Sequence, residues 1–158
     1  MPERGLIFSL LLLAGCGFQL QGALTFPPQL ERTYIQAVDS YSPFYRDLRT
    51  ALVGAGIEVT DTAADATATL TIAFDETDQR VLSVSARNVP TEYEVYYTIE
   101  YLLHSGEDNL IERQTLTLTR DYTYDSTLVL GKAREEELLR EAIVDDLVRI
   151  VLKQISAL

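Results

Sequence analysis

The sequence predicts an α+β domain, a two-layer sandwich in which two helices cover one face of a four-stranded mixed sheet. Three observations carry that expectation. Along 92–103 (EYEVYYTIEYLL) the period is two: Tyr93, Val95, Tyr97, Ile99, Tyr101 and Leu103 share one face, and Glu92, Glu94, Thr98 and Glu100 mostly share the other. Along 132–158 the period is helical, with Leu139, Ala142, Ile143, Leu147, Ile150, Val151 and Ile155 on one stripe. A second helical spacing, Phe44, Leu48, Leu52 and Ala55, follows Ser42-Pro43, which supplies an N-cap and a proline for the first turn. Two amphipathic helices need an apolar surface to cover, and antiparallel strands with one polar face provide it.

Each element can be justified in chain order. Residues 6–13 (LIFSLLLL) form an apolar run too short to span a bilayer, which takes about 20 residues. The run suits the core of an export signal, and small Ala14 and Gly15 lead straight to Cys16, the only cysteine in the chain. Leu-Ala-Gly-Cys resembles the lipobox of bacterial lipoproteins, in which the leader is cut before the cysteine, its thiol is diacylated and the new amino terminus is acylated again. Several acyl chains anchor stably where one holds marginally, at about 0.8 kcal/mol per buried methylene. Residues 1–15 are therefore expected to be a signal peptide and Cys16 the lipidation site. The position after the cysteine holds Gly17 and not aspartate, which by resemblance to sorted lipoproteins favours the outer membrane.

Residues 16–30 read as an acylated cysteine plus an extended tether, stiffened by Pro27-Pro28, and 31–158 as one domain. The β-branched and aromatic stretch 33–38 (TYIQAV) is a first strand, followed by the helix after Ser42; 57–60 is a short extended piece and 61–65 a loop. From Thr67 the pattern alternates, with Leu70, Ile72 and Phe74 on one side, and it resumes at 80–86. The acidic 75–78 (DETD) lies between as a bend, either a bulge in one long strand or a turn that splits it. The turn 87–90 leads to the strand over 92–103; a turn at 105–108 leads to the last strand, 110–122; the closing helix covers 132–158.

Composition narrows the function. The formal charge is −11, which argues against nonspecific nucleic-acid binding. A lone cysteine makes no internal disulfide, and neither 75–78 nor Glu107-Asp108 has the oxygen-ligand spacing of an EF-hand. His104, the only histidine, stands beside a Ser-Gly turn without a triad pattern. No catalytic residue, metal or cofactor is expected.

Connection order sets the poles. If the first strand runs upward, helix one descends, the second strand rises through a right-handed crossover, the third descends and the fourth rises. The 87–90 turn, the 122–132 loop and the start of the closing helix then share the top, while the tether enters at the bottom. Arg87 and Lys132 should stand at the pole remote from Cys16. Leu128, Val129 and Leu130, apolar in that upper loop, fit partner contact and core equally well. The tyrosine stripe reads as sheet core, although Tyr96, Tyr122 and Tyr124 could meet a partner surface, where aromatics are enriched.

The leader with Cys16-Gly17-Phe18-Gln19-Leu20 resembles the CG[WF]xL start of the LptE family of lipopolysaccharide-assembly lipoproteins. The resemblance continues through RVLSVSARNVPTEYEVYYTIEYLL (80–103), TLTLTRDYTYDSTLVLGKAREEELL (115–139) and the final helix. It implies a non-enzymatic plug, paired one to one with the outer-membrane β-barrel LptD, that binds lipopolysaccharide during delivery to the cell surface. It also implies that a basic residue in the turn before the tyrosine strand and one before the closing helix bind the ligand. Arg87 (in ARNVPTEY) and Lys132 (in LGKAREE) match them, with glutamates 135–137 partly cancelling their field. Tyr122, Tyr124, Leu128, Val129 and Leu130 are then candidates for the barrel interface. Members often carry a polar tail after the last helix, so contacts made by such a tail are not expected from a sequence ending at Leu158. The competing expectation is a periplasm-facing lipoprotein that docks on and regulates a soluble envelope enzyme.

Overall fold

The first strand finds a neighbour on each side. In the computed structural model, which describes residues 25–125 and 127–158, β1 (Arg32–Ala37) pairs in parallel with β2 (Glu58–Thr60) and with β3 (Ala68–Val84). β4 (Pro90–Ser105) and β5 (Asp108–Thr123) extend the sheet as antiparallel hairpins, giving the order β2-β1-β3-β4-β5. The sheet therefore has five strands and not four. The extra one is the short piece after the first helix, where three residues are too few to show an alternation but enough to pair Arg32, Thr33 and Tyr34. Residues 1–24, which hold the signal peptide, Cys16 and most of the tether, lie outside the described residues.

Helix α1 (Pro43–Gly54) starts as its sequence dictates: Ser42 Oγ accepts from the Tyr45 amide at 3.0 Å, and Pro43 occupies the first turn. It buries Phe44, Leu48 and Leu52. Helix α2 (Val129–Ile155) begins three residues before the expected Lys132, so Val129 and Leu130 belong to its first turn and not to a loop. The start was hidden because the N-cap, Leu128, makes no side-chain cap. The nearby polar residue, Asp125, spends its carboxylate on the amide and hydroxyl of Thr127. The buried face of α2 is Ile143, Val144, Leu147, Val148, Val151, Leu152 and Ile155; it is shifted from the stripe read from sequence, since Val144, Val148 and Leu152 join it while Ala142 is exposed and Leu139 and Ile150 are half-buried. Val144 lines a groove shared with Pro43 and Arg46 of α1, and Val148 one shared with Thr50 and Ala51, so the added residues face the other helix.

β3 is one long strand. Its register shifts between Ile72 and Phe74, just before the acidic stretch, and again on either side of Ser83 near its end; the first shift exchanges faces. Leu70 and Ile72 face the core opposite Leu103 and Tyr101, whereas Phe74 stands opposite Glu100 on the outer face and Asp75 turns inward opposite Ile99. Phe74 is thus on the opposite side from the expected one, because one extra residue, Ala73, breaks the alternation. Asp75 accepts hydrogen bonds from the Ser42 hydroxyl and, at 2.6 Å, from the Tyr97 hydroxyl, tying the start of α1 to two strands.

The alternation of β4 holds, with Val95, Tyr97, Ile99, Tyr101 and Leu103 all buried. Burial pushes the Tyr101 phenol up to about 12, burial with the Glu136 carboxylate pushes Tyr122 up to about 12, and burial with Asp75 raises Tyr97. Each folded pKa lies above the ordinary phenol value of 10.0, so the native state retains protons that the unfolded chain releases. This stabilisation is complete below pH 10 and is lost as pH rises through 12. Urea unfolding should give a free energy unaffected by these phenols up to about pH 10 and falling steeply above it, with tyrosinate absorbance appearing together with unfolding. Full tyrosinate absorbance in a still-folded protein at pH 11 would contradict it.

A candidate ligand-binding pole

Among the described residues β3 pairs only with β4 beyond Ile72, so β3, β4 and β5 continue past β1 as a three-stranded ribbon. The ribbon ends in a turn closed by its own bonds. The Ser85 amide donates to Val89 O at 2.8 Å, the Asn88 amide donates to Ser85 O at 2.9 Å, and Ser85 Oγ accepts from the Val89 amide at 3.3 Å. Asn88 has φ 58°, a left-handed conformation that asparagine tolerates better than most residues. The turn displays Arg87, exposed and without an ion pair among the described residues.

The chain returns to this end after β5. The Tyr124 amide donates to Thr91 O at 2.8 Å, Asp125 organises the loop, and α2 starts at once. The Thr127 hydroxyl and amide hold the Asp125 carboxyl below the usual carboxylate range. The turn at Arg87 and the start of α2 therefore share one pole, as connection order required. The two cations differ in state. Lys132 is the fourth residue of α2, its side chain only 18% exposed, and its Nζ donates to Glu135 Oε2 at 2.7 Å. Arg87 is available; Lys132 is already half neutralised.

Of the interface candidates, the aliphatic ones are exposed and Tyr122 is not. Leu128, Val129 and Leu130 are exposed, Leu130 by 88%. They are joined at this pole by exposed Val81, Leu82, Val84 and Val89, which sequence reasoning passed over. The signal was present in RVLSVSARNVP: aliphatic side chains at both odd and even positions of a strand cannot all face one core. Tyr122 is buried and leaves the surface candidates: its ring stacks on Tyr93 at 5.7 Å, and its hydroxyl reaches Gln79 Oε1 at 3.0 Å and Glu136 Oε2 at 3.3 Å. Tyr124 is half-buried with its ring edge on Tyr93 at 5.3 Å. Tyr96 lies half-exposed on the outer face, with the Arg80 guanidinium 5.7 Å above its ring.

His104 sits at the far end of β4, paired with Thr69 and Asn109. Among the described residues no group of His, Cys, Asp or Glu has the arrangement to hold a metal, and no helix is long and apolar enough to cross a membrane. The described residues thus form an α+β fold that gathers a free guanidinium and exposed aliphatics at one end, the arrangement of an assembly lipoprotein and not of an enzyme. The family model of LptE, lipopolysaccharide-assembly, matches residues 30–155, and the chain belongs to this family, whose members are assembly lipoproteins and not enzymes. It is 26% identical over 150 residues to the LPS-assembly lipoprotein LptE of Yersinia enterocolitica, covering 93% of this chain and 71% of that protein. It is 28% identical over 136 residues to that of Pectobacterium atrosepticum, covering 84% and 72%. The fold is similar to that of lipoprotein B from Nitrosomonas europaea in solution (TM-score 0.75, 29% identity, 89% and 91% of the two chains). It also resembles the fold of rare lipoprotein B from Shewanella oneidensis (TM-score 0.70, 23% identity, 80% and 94%).

Proposed function

We propose that this chain is an outer-membrane lipoprotein, held by acylated Cys16 after removal of residues 1–15, that plugs and helps assemble an LptD-type β-barrel and binds lipopolysaccharide at the pole carrying Arg87 and Lys132. The observation that carries the reading is the exposed Arg87, without an ion pair among the described residues, on a turn flanked by exposed Val84 and Val89, at the pole where exposed Leu128 precedes α2. Lipopolysaccharide combines phosphates with acyl chains. A guanidinium pairs with phosphate in a bidentate manner, and aliphatic side chains around it favour the acyl portion. Membership of a lipopolysaccharide-assembly family supports the same ligand. The tether would enter at the opposite pole, where Pro28–Leu30 packs beside Ile57, leaving the binding end directed away from the anchor.

Affinity purification of the lipidated protein in mild detergent tests the partner. The expected result is recovery of a large β-barrel at equal stoichiometry. Recovery of a soluble envelope enzyme without a barrel would favour the regulator instead, and an unmodified Cys16 thiol in the mass spectrum would remove the anchor.

A further inference from the structure

Large aliphatic side chains left in water gather at the end of the ribbon. Val81, Leu82, Val84 and Val89 are each between 45% and 52% exposed, and exposed Leu128 stands at the same pole just before α2. A concentration of this kind on a folded protein marks a surface that something apolar covers. Val81 stands opposite Tyr93, whose ring stacks on buried Tyr122, so Val81 is on the helix side of the ribbon. Leu82 instead lines a cleft with Glu92, Asp121 and Thr123, residues that alternate with Tyr93 and Tyr122 and lie on the outer side. Aliphatic groups therefore flank the ribbon on both sides, beneath a turn that carries polar Ser85, Arg87 and Asn88.

Resting on the reading of this pole as a lipopolysaccharide site, we propose that Val81 and Leu82 form its acyl-chain subsite, with chains lying on both sides of the ribbon and the phosphates at Arg87. A rigid protein surface covers one side of a ribbon. Several acyl chains joined to one headgroup can part around it and cover both. The aliphatic contact is non-directional, so it sets no demand on how each chain lies. The order of groups along the ribbon then fixes which way the ligand points. Arg87 is exposed at the tip without an ion pair among the described residues. Glu92 and Asp121 lie further from the tip beside Leu82, and they too have no ion pair among the described residues. Phosphate is drawn to the guanidinium and repelled at the level of these carboxylates. The headgroup therefore sits at the turn, and the chains run from it toward the body of the protein.

Titration with a short-sugar lipopolysaccharide and with the same molecule after complete deacylation, both in mild detergent, tests the subsite. The deacylated ligand keeps its phosphates and sugars but loses every chain, so the parent should bind the intact one at least about tenfold more tightly. Val81→Ser and Leu82→Ser should each weaken the intact ligand by about three- to tenfold, as burial of a half-exposed aliphatic side chain allows, and leave the deacylated ligand unchanged. Val53→Ser, an exposed change on α1, should alter neither affinity. Arg87→Asp should weaken both ligands alike, which separates the phosphate contact from the chains. Equal affinity of the parent for the two ligands, or a loss at only one of Val81 and Leu82, would overturn the two-sided subsite while leaving Arg87 and the proposed function in place. Serine variants that fail to recover the β-barrel but keep full affinity for the intact ligand would assign these side chains to the partner and overturn it as well. A parent that binds neither ligand would remove lipopolysaccharide from the proposed function, and the subsite with it.

Discussion

Arg87→Asp should weaken lipopolysaccharide binding by roughly 10–100-fold, and Lys132→Asp by about threefold. The asymmetry follows from what each cation already does. A hydrogen bond to an ionised group contributes about 1.5–3 kcal/mol, which is roughly 10–150-fold in affinity when the donor is free to give it. Arg87 stands on a turn held by its own backbone bonds and meets no carboxylate among the described residues. Lys132 must share its ammonium with Glu135, so an arriving phosphate gains less from it. Both substitutions leave the core untouched, and aspartate near the start of α2 suits the helix dipole, so the circular dichroism spectrum should stay native. Glu135→Gln releases Lys132 and should strengthen binding by a small factor. Titrating purified lipopolysaccharide at low and at physiological ionic strength reads all three. Equal losses at Arg87 and Lys132 would mean that Glu135 does not hold the lysine in solution; no loss at either would remove this pole from the proposed function.

Most of the fold was legible because most of it rests on periodicity. β4 alternates cleanly since one face meets two helices and the other meets water, and α1 announces itself through Ser42 and Pro43. The failures have local causes. Glu58–Thr60 joins the sheet through three residues of backbone pairing, which leaves no pattern in side chains. Ala73 shifts the register by one residue, so Phe74 continues the apparent apolar series while facing the other way. The start of α2 lacks a capping side chain, which moved Val129 and Leu130 into an expected loop. The candidate pole was readable in outline from the order of connections, since that order alone brings the end of β3 beside the start of α2. Its chemistry was not readable. Nothing in LGKAREE says that Lys132 turns to Glu135, and nothing in RDYTY says that Tyr122 points inward while Tyr124 packs across Tyr93.

Asp75→Ala should cost about 3–4 kcal/mol of unfolding free energy, the largest loss expected from a single polar residue. The bulge at Ala73 is followed by an inward Asp75 whose two oxygens are both engaged, one by Ser42 and the other by Tyr97. Truncation removes two charge-assisted bonds at about 1.5–3 kcal/mol each, although bonds that share one carboxylate do not add in full. It also strands the hydroxyl of Tyr97, whose side chain is buried and cannot turn to water. Ser42 still caps α1 through the Tyr45 amide, so the helix should persist while its attachment to β3 and β4 loosens. Tyr97→Phe, which leaves Asp75 with Ser42, should cost about 1–2 kcal/mol. In Asp75→Ala with Tyr97→Phe the stranded donor is gone, and the double variant should be more stable than the sum of the single losses predicts by about 1–2 kcal/mol. Asp75 also helps to raise the Tyr97 phenol, so removing the carboxylate should let that phenol ionise at lower pH, with burial still holding it above its ordinary value. Urea denaturation of the four proteins, with tyrosinate absorbance followed in parallel, measures both effects. Strict additivity in the cycle would show that the carboxylate and the phenol act independently, and that packing of Phe44 against the sheet, not this polar node, fixes the first helix.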